Sequence, residues 1–384
     1  MSRSVVLLSN RGAHLLELAL VGFKPICISL DPALRPRRSI VPRPRLVLRY
    51  GLSLAGVIER LRRLNPAVVV LFERDDTRNI LPTLFRELAD TRFVSIQSAW
   101  YFESAHLHLW WPGDRRRLKI LTWGDHLIEQ SAWQGRDTRG RNAVGSLEAA
   151  LFSEFFPNVA GRLNSQQLCL IVKRKFGRPS SHPNFQTTER IRNVTTVLKY
   201  TTAYCRQNGL TAVMPVDPRR SEVERAEDAE WLESLELGPD ISFSDKVLEF
   251  EPRRPNWYPH DLALPKPDIF RALTLVASSA LTLGTQNSAL IWQSLALGYP
   301  TLAVGFGSHK FFEFPVSGIW KLQDPSPEAF SSRVSQLRAL PDHRFTSEEL
   351  EPTRHLINQS PPGSAVMYLR DIVKSAIDNI AWDY

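Results

Sequence analysis

The chain has 384 residues and a formal net charge of +8, with 43% hydrophobic and 23% charged residues, the balance of an ordinary globular protein with room for two or three cores. No apolar run reaches the roughly 18 residues of a membrane span, and the start MSRSVVLLSN has too short an apolar stretch for a secretory signal. Cys27, Cys169 and Cys205 are odd in number and far apart, which excludes a metal cluster or disulfide framework and fits a reducing cytoplasm.

In chain order, Val5–Ser9 reads as a first strand, Asn10-Arg11-Gly12 as a turn, His14–Val21 as a helix closed by Gly22, and Pro25–Leu30 as a second strand. This is a Rossmann-type βαβ start without the GxGxxG of a dinucleotide fingerprint. A Pro/Arg segment follows, with a short strand at Arg45–Leu48. Its arginines, with Arg60, Arg62, Arg63 and Arg115–Arg117, suit either a solvated surface or an anionic membrane surface. Nucleic acid is disfavoured because no recognition motif accompanies the charge.

Ser53–Leu64 has helical periodicity, and Ala67–Phe72 is a β-branched buried strand that delivers Glu73-Arg74-Asp75-Asp76 to its C-terminal end, where Asp76 reads as a helix cap. After the helix Ile80–Leu88, the strand Phe93–Gln97 leads into Ser98-Ala99-Trp100. His106 and His108 would share one strand face, but no third zinc ligand is evident. The strand Leu118–Thr122 ends in Trp123-Gly124-Asp125-His126, and Val144-Gly145-Ser146 opens a helix over Leu147–Phe155.

Composition turns polar between Asn158 and Gln167, which places an interdomain linker there. The next strand, Leu168–Val172, ends in the basic Lys173-Arg174-Lys175, suited to phosphate or to water. A long helix over Thr187–Cys205 is followed by the strand Leu210–Pro215, which ends in Asp217-Pro218-Arg219-Arg220. An acidic helix over Glu222–Leu235, a short strand at Ile241–Phe243, a Pro-rich loop and a helix over Asp268–Ala277 come next.

The stretch Ala280–Gly305 then reads as strand, polar loop, helix and strand. Helical spacing begins at Ser288, Gly298 suits a left-handed cap, Pro300 cannot continue the helix, and Thr301–Val304 restarts a strand. The loop Thr285-Gln286-Asn287-Ser288 lies before a helix N-terminus, where amides and dipole favour an anion; the same residues also suit plain capping. Gly305–Lys310, with His309, follows the second strand on the same edge. Helices over Glu328–Leu340 and around Glu348–Ile357, and a last one after Pro361-Pro362-Gly363, complete the chain.

Asn287, Ser288, Leu295, Ala296, Leu297, Gly298 and Pro300 resemble the donor-binding segment of GT-B glycosyltransferases, a segment largely shared with nucleotide-sugar epimerases. Gln97, Trp100, Trp123, Gly124, Asp125, Gly145 and Ser146 are similar, in order and at strand ends, to bacterial surface-carbohydrate biosynthesis proteins of that type. The resemblance implies an α/β fold of two Rossmann-like domains facing across a cleft, over 1–160 and 166–358, with a C-terminal helix over 363–384 returning to the first. It also implies a metal-independent glycosyltransferase that uses a nucleotide sugar as substrate and no cofactor. Its acceptor would be a surface glycan or lipid-linked glycan, and its place the cytoplasm or the inner face of the plasma membrane.

Donor contacts would come from Thr285, Gln286, Asn287, Ser288, Lys173 and His309. Arg219 and Arg220 would supply charge where relatives carry His, and Gln293 stands where the family's pattern has Glu. Arg11, Gly12, Gln97, Trp100 and Trp123 would meet the acceptor, with Asp125, His126 or Glu73 as the catalytic base. A nucleotide-sugar epimerase and a non-catalytic sugar- or nucleotide-binding protein are the alternatives.

Overall fold

A computed structural model describes residues 4–8, 13–29, 46–49, 54–73, 75–97, 115–133, 138–157, 159, 164–172, 187–216, 222–244, 250–285, 288–307, 317–357 and 364–382. The chain divides into two compact units. One comprises Met1–Phe156, Pro252–Lys266 and Arg354–Tyr384; the other comprises Pro157–Glu251 and Pro267–Thr353.

The first unit is built on a seven-stranded parallel sheet of β1 (Val5–Leu8), β2 (Ile26–Ser29), β3 (Leu46–Arg49), β4 (Val68–Glu73), β5 (Arg92–Gln97), β6 (Leu118–Thr122) and β7 (Arg141–Ala143), in the order β3-β2-β1-β4-β5-β6-β7. Parallel strands need crossover connections, and these are α1 (Ala13–Ala19), α2 (Leu54–Leu64), α3 (Asp75–Glu87) and α4 (His126–Trp133). One face of the sheet packs Val6, Val69, Leu71 and Phe93 against Val57 and Leu61 of α2 and Leu81, Leu84 and Phe85 of α3. With both faces covered, β4 reads as an unbroken apolar run instead of an alternating one.

Helix α5 (Leu147–Phe155) begins at Ser146, whose hydroxyl accepts a hydrogen bond from the Ala149 amide. The last helix, α12 (Ser364–Ile377), packs with α1, α5 and β4, so the C-terminal helix does return to the first unit. Arg370 fastens it, donating to the Ala19 carbonyl at 2.8 Å with its guanidinium 5.0 Å from the ring centres of both Phe23 and Trp257. Trp257 and Tyr258 come from the Pro252–Lys266 excursion and meet Phe155 edge-on. That loop is therefore core material of a unit more than ninety residues upstream.

The second unit repeats the plan with β8 (Asn164–Ile171), β9 (Thr211–Pro215), β10 (Ile241–Ser244), β11 (Ser279–Thr285), β12 (Thr301–Gly305) and β13 (Lys321–Gln323), all parallel, in the order β10-β9-β8-β11-β12-β13. Its helices are α6 (Thr187–Asn208), α7 (Glu222–Ser234), α8 (Arg271–Ser278), α9 (Ala289–Ala296), α10 (Pro327–Arg338) and α11 (Ser347–Leu350). The α/β reading with two parallel sheets therefore holds.

Several boundaries differ from the sequence expectation. Lys24 takes the left-handed conformation after the first helix, where Gly22 was expected to close it. Asp76 lies inside the first turn of α3, so it is not that helix's cap. Strand β8 starts at Asn164, inside the polar stretch read as linker, because Asn164 pairs with Ser279 and the Gln167 amide donates to the Ser279 hydroxyl. Strand β7 has only three residues and carries no readable pattern. The segment around Glu348–Ile357 forms one short helix and a 3-10 turn instead of a longer helix.

Candidate functional site

Both sheets reverse direction of strand order once, between β1 and β4 in the first unit and between β8 and β11 in the second. In open α/β sheets, the crevice beyond the carboxyl ends at such a reversal is where ligands bind.

In the second unit, β8 ends at Ile171 and β11 at Thr285, and Gly284 sits beside the Ile171 carbonyl with Ile291 of α9 against it. A Cβ at Gly284 would collide with that carbonyl, so glycine lets strand, strand end and helix start converge. Ser288 is the N-cap of α9, in extended conformation, and its hydroxyl makes no capping bond. Among the described residues no side chain caps the first turn, and the positive end of the helix lies at the carboxyl edge of the sheet.

Helix α9 is buried almost all round, from Ile291 to Leu295, with Gln293 only 5% exposed. It closes by a Schellman motif: Gly298 has φ +76°, its amide donates to Leu295, and the Tyr299 amide donates to Ser294. Arg344 then donates to the Leu297 carbonyl and lies over the Tyr299 ring. A short, rigid helix therefore presents Thr285 and Ser288 at the sheet edge.

Beyond β12, three side chains that the sequence reading did not single out hold the main chain. Asn193 of α6 donates to the Phe306 carbonyl, Gln323 donates to the Gly307 carbonyl, and the Gly307 amide donates to Asp324. These bonds span 16 to 113 residues and leave no sequence pattern; the local signs are the left-handed Asp324 (φ +47°) and Gly307 (φ +78°).

In the first unit, Glu73 ends β4 in register with Gln97 at the end of β5, and Asp125 and His126 follow β6 at the same edge. Gln97 and Trp123 are bound to each other. The Trp123 amide donates to Gln97 Oε1 at 2.7 Å, and the indole Nε1–H donates to the Gln97 carbonyl at 3.1 Å. Both are at most 2% exposed, so in this structure they clamp the ends of β5 and β6. The segment at His355 and Leu356 lies so close over Gly124 that a Cβ there would strike main-chain atoms. The His355 carbonyl also accepts the His126 amide at 2.9 Å. Asp125 is exposed and His126 half-buried at the start of α4.

Arg11, Gly12, Trp100, Lys173, Arg219, Arg220, Gln286, Asn287 and His309 lie outside the described residues, as do His106 and His108. Among the described residues, no group of three His, Cys, Asp or Glu side chains is placed to hold a metal ion. No helix among them is long and apolar enough to cross a membrane.

No protein-family model and no curated protein matches the chain. Solved structures do. The chain is similar to UDP-N-acetylglucosamine 2-epimerase from Rickettsia bellii, at 14% identity over 99% of this chain and 98% of that one, with a TM-score of 0.57. It is similar to the UDP-GlcNAc 2-epimerase of Methanocaldococcus jannaschii solved in complex with UDP-GlcNAc and UDP, at 12% identity over 97% and 99%, with a TM-score of 0.57. It is also similar to sucrose-phosphate synthase from Thermosynechococcus elongatus, at 10% identity over 98% and 100%, with a TM-score of 0.50. At these identities the likeness establishes the fold, which is of the GT-B type.

Proposed function

We propose that the chain is a nucleotide-sugar enzyme that transfers the sugar to the hydroxyl of a glycan or lipid-linked glycan acceptor in bacterial surface-polysaccharide synthesis. The observation that carries the reading is the start of α9, with its uncapped first turn beside the strand-order reversal of the second sheet. A diphosphate suits such a place because backbone amides and the helix dipole both favour negative charge. Solved structures of this fold that carry UDP and UDP-GlcNAc support the same ligand class.

In this reading the donor diphosphate binds at Thr285, Gln286, Asn287 and Ser288. Lys173, Arg219 and Arg220, which follow β8 and β9 in sequence, add positive charge, His309 after β12 adds a ring N–H donor, and Gln293 serves the ribose side. Arg11, Gly12 and Trp100 serve the acceptor, while Gln97 and Trp123 hold the ends of β5 and β6 together. The acceptor oxygen bonds to the anomeric carbon while the bond from that carbon to the diphosphate oxygen breaks. The nucleoside diphosphate leaves with the electron pair, its charge stabilised by the helix start and the basic residues. The acceptor proton passes to Asp125, His126 or Glu73, which share one edge of the first sheet. The three separate, buried cysteines support a cytoplasmic setting.

A second reading, epimerisation of a nucleotide sugar, is favoured by one observation: epimerases match the chain at a TM-score of 0.57, above the 0.50 of sucrose-phosphate synthase. One experiment separates the readings. Calorimetry with a panel of nucleotides identifies the ligand, and the matching nucleotide sugar is then followed by NMR with and without glycan acceptors. Transfer predicts nucleoside diphosphate released only when an acceptor is present. An inverted sugar centre without acceptor means epimerisation, binding without turnover means a binding protein, and no binding of any nucleotide refutes all three.

A further inference from the structure

In a sheet whose strands all run the same way, every strand starts at one edge, and every crossover helix returns there. In the first unit that edge gathers the ends of α2, α3 and α4 and the starts of β5, β6 and β7. Arginine dominates it. Arg62 and Arg63 close α2, Arg86 closes α3, Arg116 precedes β6 and Arg139 precedes β7, and all five are exposed.

Among the described residues the carboxylates at this edge are fewer, and one of them, Asp378, is paired with Lys374. Arg62 and Arg86 share Glu87, and Arg63 pairs with Glu59, one turn up its own helix. Asp90 is exposed nearby in sequence. Arg92 and Arg117 add charge while donating to main-chain carbonyls, Arg92 to Ser375 and Ile380, Arg117 to Phe85, Leu88 and Thr91. Among the described residues the edge therefore carries more arginine than carboxylate, across roughly 14 Å from β4 to β7 at about 4.8 Å per strand.

Two large apolar side chains stand out from it into solvent. Trp133, the last residue of α4, is 84% exposed. Ile380, whose carbonyl accepts a bond from Arg92 at the start of β5, is 55% exposed. Among the described residues only Val223 and Met367 are also large, apolar and exposed, and neither is on this edge.

We propose that this edge docks on the surface of an anionic phospholipid bilayer. Indole favours the headgroup layer, where its apolar body and polar N–H are both served. Exposed arginines meet anionic headgroups while their stems lie along apolar surface. A single tryptophan is a poor stacking platform for a nucleic-acid strand, which would use several aromatics in a row. Asp125, His126 and Glu73 lie at the opposite edge of the same sheet, so docking leaves them open. The inference rests on the first unit's topology and is independent of which reaction the enzyme performs.

The test is co-sedimentation of the full chain with phosphatidylcholine vesicles, with and without phosphatidylglycerol. Binding is expected only to the anionic vesicles, and it should fall as salt rises. Reversing two charges together, Arg116→Glu with Arg139→Glu, should weaken it by about tenfold or more. Trp133→Ala should weaken it several-fold and leave the salt dependence unchanged. Circular dichroism checks that the variants fold; should the double variant not fold, the exposed Trp133→Ala still decides. The proposal is overturned by no binding to anionic vesicles at low salt. Binding that the folded variants retain in full overturns it too, as does duplex DNA that displaces the vesicles and binds the Trp133 variant equally well.

Discussion

The carboxyl ends of the two sheets are furnished alike in sequence and used differently in the fold. At the first, Gln97 and Trp123 spend their hydrogen bonds on each other, and the chain at His355 and Leu356 closes down on Gly124. At the second, glycine again permits close approach, but the Ser288 hydroxyl does not cap the helix that starts there. A polar or aromatic residue at a strand end is thus no guide to a ligand until its own partners are known. A helix start left without a cap at a strand-order reversal is the better guide.

The contrast can be broken most forcefully at Gly124. Gly124→Ala drives a methyl group into the main chain of His355 and Leu356 and should cost about 3 kcal/mol, read as a lower denaturant midpoint. An unchanged midpoint would mean that the crossing segment is not seated there. Gln97→Leu should cost ~2 kcal/mol, because the buried Trp123 amide loses its acceptor; a neutral result would free Gln97 from the structural role given to it.

On the other sheet, Gly298→Ala makes only ordinary contacts, with Arg344 at 3.8 Å and Leu350 at 4.0 Å, but must hold φ at +76°, so about 1 kcal/mol is expected. A stabilised variant would show that α9 can end another way.

The smallest effect is alkaline. Burial pushes up the thiols of Cys27, Cys169 and Cys205, the last to about 12, and raises the Tyr299 phenol above its ordinary value of 10.0. The folded chain then holds these protons more tightly than the unfolded chain. Their contribution is complete below the ordinary thiol value of 9.0 and is lost as pH rises above it. Denaturant midpoints should be level between about pH 7 and 8 and fall above about pH 9. Cys169→Ala should flatten that fall, and a midpoint that rises with alkali would contradict the assignment.

Much of the frame was legible because its causes are local. The apolar run of β4, the punctuation by Gly298 and Pro300, and the Ser146 cap are short-range physics. The rest depends on partners distant in sequence. Asn164–Gln167 is strand only because Ser279 lies beside it, and the Pro252–Lys266 excursion looks like loop until Phe155 meets Trp257 and Tyr258. Within the candidate site, the order strand, loop, helix could be read directly. That Gln97 and Trp123 would bind one another across 26 residues could not, because either residue is equally suited to a sugar.

A helix start that receives the nucleotide's diphosphate must lose it when a carboxylate is placed there. Titration calorimetry of the wild-type chain and of Ser288→Asp with UDP, and with the other nucleoside diphosphates, tests this at α9 most directly. One of them is expected to bind the wild type. The variant, folded by circular dichroism and with a carboxylate where the anion should sit, should lose that affinity by about 100-fold or more. Equal affinity in the two proteins would contradict a diphosphate site at α9.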